Sequence, residues 1–147
     1  MSTRPVEILL VEDNPGDVLL TKRAFAKSKI SNTLHVAIDG AEALDFLRRR
    51  GRFEDAVRPD LILLDINLPK VDGHELLTQI KADESLRKIP VVMLTSSQSD
   101  KDISKAYGAY ANSYISKPPS LDELVEAVQG LENYWFQLVR LPAEDDG

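Results

Sequence analysis

The chain is predicted to be an α/β protein built on a doubly wound parallel sheet, and three observations lead to that class. First, strand signals and helix signals alternate five times along its 147 residues, the pattern of βα units rather than of hairpins. Second, Leu61-Ile62-Leu63-Leu64-Asp65 is an unbroken apolar run that ends in a carboxylate, with a proline turn at Pro69 close behind. Such a run reads as a strand buried on both faces. Third, Glu12-Asp13, Asp65, Thr95 and Lys117 each fall where one of these apolar runs stops. Open α/β sheets place their chemistry at that carboxyl edge.

The first strand spans residues 6–11 and closes at Glu12-Asp13. Asn14-Pro15 supplies an N-cap and a proline at the first helical position, opening a helix through Val18, Leu20, Ala24 and Phe25. A short strand over 33–38 follows, and Asp39-Gly40 turns into a helix carrying Ala43, Leu44 and Leu47. Arg48-Arg49-Arg50 and Gly51 read as its cationic last turn and glycine stop. Residues 52–60 read as a polar loop, and 61–65 as the central strand. Asp72 and Glu75 make an aspartate version of the capping box ahead of Leu76, Leu77 and Ile80. The next strand is expected over 89–94, ending at Thr95. Ser99 to Asp102 repeats the cap before Ile103, Ala106 and Tyr107. A fifth strand spans 112–116 and stops at Lys117-Pro118-Pro119, and Ser120 with Glu123 opens the last helix.

Right-handed crossovers leave few ways to arrange five such units. The expected architecture is a flavodoxin-like (βα)5 sheet of strand order 2-1-3-4-5, with strands one and three flanking the switch point. One domain is expected over 1–147, its core at about 6–130 and an extended C-terminal helix and tail over 131–147. Composition excludes several classes of function. A net charge of −6 argues against a nucleic-acid surface. With no cysteine, neither disulfides nor thiolate metal sites can form. No segment has signal-peptide or membrane-spanning character, so the chain reads as cytosolic.

The polar residues gathered at one edge suggest a chemistry. Converging carboxylates repel unless a positive charge sits among them. Mg²⁺ is suited to that place, since it prefers carboxylates, waters and phosphate oxygens. An all-oxygen donor set, with His35 and His74 away from the edge, favours it over zinc. Asp65 would then be free to act as nucleophile toward a phosphoryl group. Lys117 could supply a cation and Thr95 a hydroxyl to that group, and the Asn67 main-chain carbonyl could complete the metal shell. Each residue also has a plainer reading. Glu12-Asp13 could be an acidic first turn favoured by the helix dipole, Asp65 a cap, Thr95 a strand end and Lys117 a solvated charge. His35, His74 and the arginines of 48–50 are read as structural or solvated.

The sequence also resembles the response-regulator receiver domains of two-component signalling. Leu9-Leu10-Val11-Glu12-Asp13, Asp60 through Asp65, Asn67-Leu68-Pro69 with Asp72-Gly73, Leu94-Thr95-Ser96 and Tyr114-Ile115-Ser116-Lys117-Pro118 carry the resemblance in order and spacing. It implies that Asp65 accepts a phosphoryl group from a sensor histidine kinase, that Glu12, Asp13, Asp65 and the Asn67 carbonyl hold Mg²⁺, and that Thr95 and Lys117 bind the phosphoryl group. It further implies a switch formed by Thr95 and Tyr114, and a cis Lys117-Pro118 bond. Tyr110 departs from the family pattern, in which glycine commonly ends the fourth helix.

Within the family, Asn14-Pro15-Gly16-Asp17, Tyr110 through Tyr114, and Tyr134 through Pro142 resemble the small stand-alone regulators of bacterial and cyanobacterial phytochromes. A phytochrome kinase is the partner this implies. The last helix keeps apolar spacing from Leu121 to Leu138. Tyr134, Trp135 and Phe136 fan out by about 100° per residue, so they cannot all face one core. They point to a homodimer, or else to a tail folded over its own domain. No output domain is expected, so the protein would signal through protein contacts and not by turning over a substrate. Two other classes remain: a receiver-like scaffold working without phosphorylation, and an aspartyl-phosphate phosphatase. The second lacks its general acid, since Asn67 stands where a second aspartate would be needed.

Overall fold

Side chains alternate along a strand, so β1 (Val6–Val11) sends Ile8 and Leu10 to one face and Leu9 and Val11 to the other. All four are buried, as a strand covered on both sides requires. The computed structural model describes residues 5–27, 31–65, 73–95, 113–116 and 130. Within them β1, β2 (Asn32–Ala37), β3 (Leu61–Asp65), β4 (Val91–Thr95) and β5 (Ser113–Ser116) form one sheet, order β2-β1-β3-β4-β5. Every neighbouring pair is parallel. This is the expected flavodoxin-like order; the helix expected around residues 103–107 and, Gly130 apart, the one after Ser120 lie outside the described residues.

The two faces carry separate cores. Helix α1 (Pro15–Ala26) lays Ala24 and Phe25 on Ile8, Leu10, Leu61, Leu63, Val92 and Leu94. On the opposite face α2 (Gly40–Leu47) and α3 (Gly73–Ala82) bring Ala43, Leu44, Phe46, Leu76, Leu77 and Ile80 against Leu9, Val11, Ile62, Leu64 and Met93. Burying each large aliphatic side chain contributes roughly 1.5–3 kcal/mol. The strand that carries Asp65 is therefore held from above and below.

Several boundaries differ from the sequence-based expectation. Strand β2 covers Asn32–Ala37, not 33–38. Ile38 is 55% exposed and belongs to the entry of α2, where its N–H donates to Glu42 Oε1 while Glu42 N–H donates to Asp39 Oδ1. Helix α2 stops at Leu47, before the arginines. Arg49 adopts the left-handed conformation (φ 54°), its N–H donates to Phe46 O, and Arg50 N–H donates to Asp45 O. That is a Schellman closure with arginine in the glycine position. Gly51 (φ 59°) instead starts a short 3-10 turn, Gly51–Phe53.

The loop expected over 52–60 is only partly polar, since Phe53 and Ala56 pack on the core and Phe53 meets Phe46 edge-on at 5.5 Å. Strand β4 begins after Pro90, whose carbonyl accepts from Ile62 N–H. The described part of the last strand begins at Ser113, with Asn112 outside the described residues.

Candidate functional site

Register brings the site together. Val11 pairs with Leu64 across β1 and β3, so Glu12 and Asp65, the next residue on each strand, emerge side by side at the carboxyl edge. Glu12 stays aligned because its N–H donates to Ala37 O at 2.9 Å. Glu12 and Asp65 are buried, at 1% and 3% exposure, while Asp13 is exposed. Carboxylate oxygens from Glu12, Asp13 and Asp65 lie within 4.8 Å of one another. No other potential metal cluster occurs among the described residues.

Three hard oxygen donors, two withdrawn from water and one facing it, suit a divalent cation that keeps some of its waters. Without one, three negative charges would face each other in a poorly solvated corner. The donor set therefore fits a divalent cation, with Glu12, Asp13 and Asp65 as the groups that would hold it.

The segment after the acidic pair is closely tied. Asn14 has extended backbone angles and caps α1: its Oδ1 accepts from Asp17 N–H at 3.1 Å and its carbonyl from Val18 N–H at 2.9 Å. Its own N–H donates to Glu12 Oε2 at 3.3 Å. Sequence reasoning finds the cap but not this link to Glu12, because any residue other than proline carries the same main-chain donor.

Thr95 ends β4, with its backbone beside Ser116, and Tyr114 stands opposite Met93 in β5. The side chains of both lie outside the described residues. So do Asn67, Lys117, the Lys117-Pro118 bond, Tyr110, Tyr134, Trp135 and Phe136, along with the side chain of His74. His35 is away from the site, its Nε2 2.7 Å from Glu7 Oε1 and its ring 5.4 Å from that of Phe46. Of the arginines, Arg48 lies 3.6 Å from Asp83 and Arg50 3.1 Å from Asp45. Two groups with shifted pKa values lie on and just after α3. Burial lowers the pKa of the Lys81 ammonium, whose Nζ donates to Arg87 O and Ile89 O at 3.0 Å each. Asp83 is held below the usual carboxylate range, chiefly by the Ser85 hydroxyl and N–H.

A doubly wound parallel sheet with acidic residues clustered where β1 and β3 end defines a class of signalling domain, and the chain matches it directly. It belongs to the response regulator receiver domain family, whose model matches residues 8–129. It is 43% identical to response regulator Rcp1 of Synechocystis sp., over 97% of both chains. It is 45% identical to the probable methanogenesis regulatory protein FilR2 of Methanothrix harundinacea, over 94% of this chain and 88% of that one.

Among solved structures, the phosphorylated cyanobacterial phytochrome response regulator RcpA superposes with a TM-score of 0.84 at 44% identity, covering 90% of this chain and 95% of that one. The Mn²⁺-bound form of Rcp1 does so at 0.83 and 42%, covering 92% and 97%. Among the described residues, no helix is long and apolar enough to cross a membrane.

Proposed function

We propose that this chain is a phosphoryl-accepting switch: Asp65 receives a phosphoryl group from a phosphohistidine on a sensor kinase, in a Mg²⁺-dependent reaction. The observation that carries this reading is the cluster of Glu12, Asp13 and Asp65, with carboxylate oxygens within 4.8 Å of one another. A carboxylate oxygen of Asp65 attacks phosphorus in line. A P–O bond forms as the P–N bond to the donor imidazole breaks, and the electron pair leaves with the imidazole. Mg²⁺, when bound, supplies the positive charge that lets an anionic nucleophile approach an anionic phosphoryl group.

Glu12 and Asp13 would hold that charge in place, and burial of Asp65 at the end of β3 restricts its motion. Thr95 and Lys117 bind the phosphoryl oxygens, and Thr95 with Tyr114 relays occupancy to a second conformation. The Asn67 carbonyl would complete the metal shell. The protein is a signal carrier of the cytoplasm and does not turn over substrate.

A phytochrome histidine kinase as donor is supported by the likeness to Rcp1 and RcpA. FilR2, at comparable identity, is named for a different process, methanogenesis. Output runs through protein contacts, with Tyr134, Trp135 and Phe136 as the surface of a homodimer. Neither nucleic acid nor membrane is a partner in this reading.

The test is incubation with a small phosphodonor, with Mg²⁺ or with EDTA, followed by intact mass. One added phosphoryl group is expected only with Mg²⁺ and not in Asp65→Asn. Equal labelling of the variant would point to another acceptor. No labelling of the natural protein under any condition would favour an unphosphorylated scaffold.

A further inference from the structure

We infer that Asn14 is a positioning residue for the Glu12 carboxylate, so that the N-cap of α1 sets the affinity of the carboxylate cluster for a divalent cation. The inference rests on reading that cluster as a cation site. Three polar groups of Asn14 are engaged. Its Oδ1 takes the Asp17 N–H, its carbonyl takes the Val18 N–H, and its N–H reaches Glu12 Oε2. The first two bonds lock the backbone of residue 14 to the helix. The third transfers that fixed geometry to the carboxylate of Glu12, a residue that is 1% exposed. Loss of that donor loosens one of the carboxylate's restraints, and repulsion among three like charges favours its turning away from its two acidic neighbours. Partners that orient a metal ligand commonly contribute 10–100-fold in affinity.

Two further features fit the role. A Cβ on Gly16 would lie 3.2 Å from Asn14 Oδ1, so the small residue leaves room for the cap to close. Its backbone has no positive φ that would itself call for glycine. The choice of asparagine also has a charge logic. Aspartate caps a helix equally well, but here it would stand next to Glu12 and Asp13 and add a further negative charge to a crowded corner. Asparagine gives the cap without the charge.

Calorimetric titration of the full chain with Mg²⁺ alone tests this, alongside thermal melting of each metal-free variant. Asn14→Ala should raise the dissociation constant about 10-fold. Asn14→Ser, which keeps a capping oxygen, should return it to within about 3-fold of the natural value. Gly16→Ala should weaken binding in the same direction, and gives the answer if Asn14→Ala does not fold. A cap that is only structural would lower the metal-free melting temperature and leave the dissociation constant unchanged. That result in either Asn14→Ala or Gly16→Ala, or equal weakening by Ala and Ser at position 14, would overturn the inference. If the natural protein itself takes up no Mg²⁺, the cation-site reading fails first.

Discussion

Asp60 and Glu7 hold each other from both sides: Asp60 N–H donates to Glu7 O at 2.7 Å, and Glu7 N–H donates to Asp60 Oδ2 at 2.9 Å. The clamp sits at the amino edge, directly before β3, and sets the β1–β3 register that brings Glu12 and Asp65 level at the far edge. Asp60→Ala leaves a part-buried N–H with no acceptor, at a cost of about 1–2 kcal/mol. Urea denaturation should show the lower midpoint with an unchanged slope.

Arg49 offers a stabilising substitution. A non-glycine residue at φ 54° carries a steric cost that glycine avoids, and the closure from Arg50 N–H to Asp45 O is already made. Arg49→Gly should raise stability by about 1 kcal/mol, read as a higher urea midpoint. The Mg²⁺ response should not change.

The strands were legible where burial dominates. Leu61 to Leu64 are apolar because both faces of β3 are covered, and the start of α1 was legible because Asn14-Pro15 is local chemistry. Ends set by tertiary contacts were not. Ile38 looks like a sixth strand residue, but the Asp39–Glu42 cap draws it out of the sheet. The Arg48–Arg50 run looks like a helix end, but the apolar stripe stops at Leu47 and the chain closes through Arg49. Phe53 looks like part of a loop until Phe46 gives it a neighbour. At the site, the carboxylates were legible because each follows an apolar run. The bond from Asn14 N–H to Glu12 was not, because a main-chain donor leaves no mark of its own in a sequence.

The acid limb of the stability curve should carry the signature of Asp83. Its carboxylate is held below the usual range first by the Ser85 hydroxyl and then by the Ser85 N–H; burial opposes them, and Arg48 adds a weaker lowering effect. The unfolded chain therefore takes up the proton first as pH falls. The resulting stability is complete above the ordinary carboxylate pKa and is lost as pH falls through that value toward the folded one. Asp83→Asn should lower the melting temperature at neutral pH, with the difference shrinking below about pH 4. A difference that stayed constant to pH 2 would contradict the assignment.

Charge crowding at the site predicts opposite effects of one substitution with and without metal. Asp13→Asn removes the exposed member of the cluster, so the metal-free melting temperature should rise slightly, by the equivalent of up to about 1 kcal/mol. The Mg²⁺-dependent rise should largely disappear. In the natural protein that rise reflects binding to the folded state, about 2.7 kcal/mol at a hundredfold excess over the dissociation constant. EDTA should abolish it.

The central claim is that Asp65 is the acceptor, and chemical mapping tests it most directly. The protein is incubated with Mg²⁺ and a small phosphodonor, reduced with borohydride, which converts an aspartyl phosphate to homoserine, and then digested and sequenced by mass spectrometry. Homoserine at position 65, dependent on both donor and Mg²⁺, is the predicted result. Homoserine at Asp13 or another carboxylate, with position 65 intact, would contradict it.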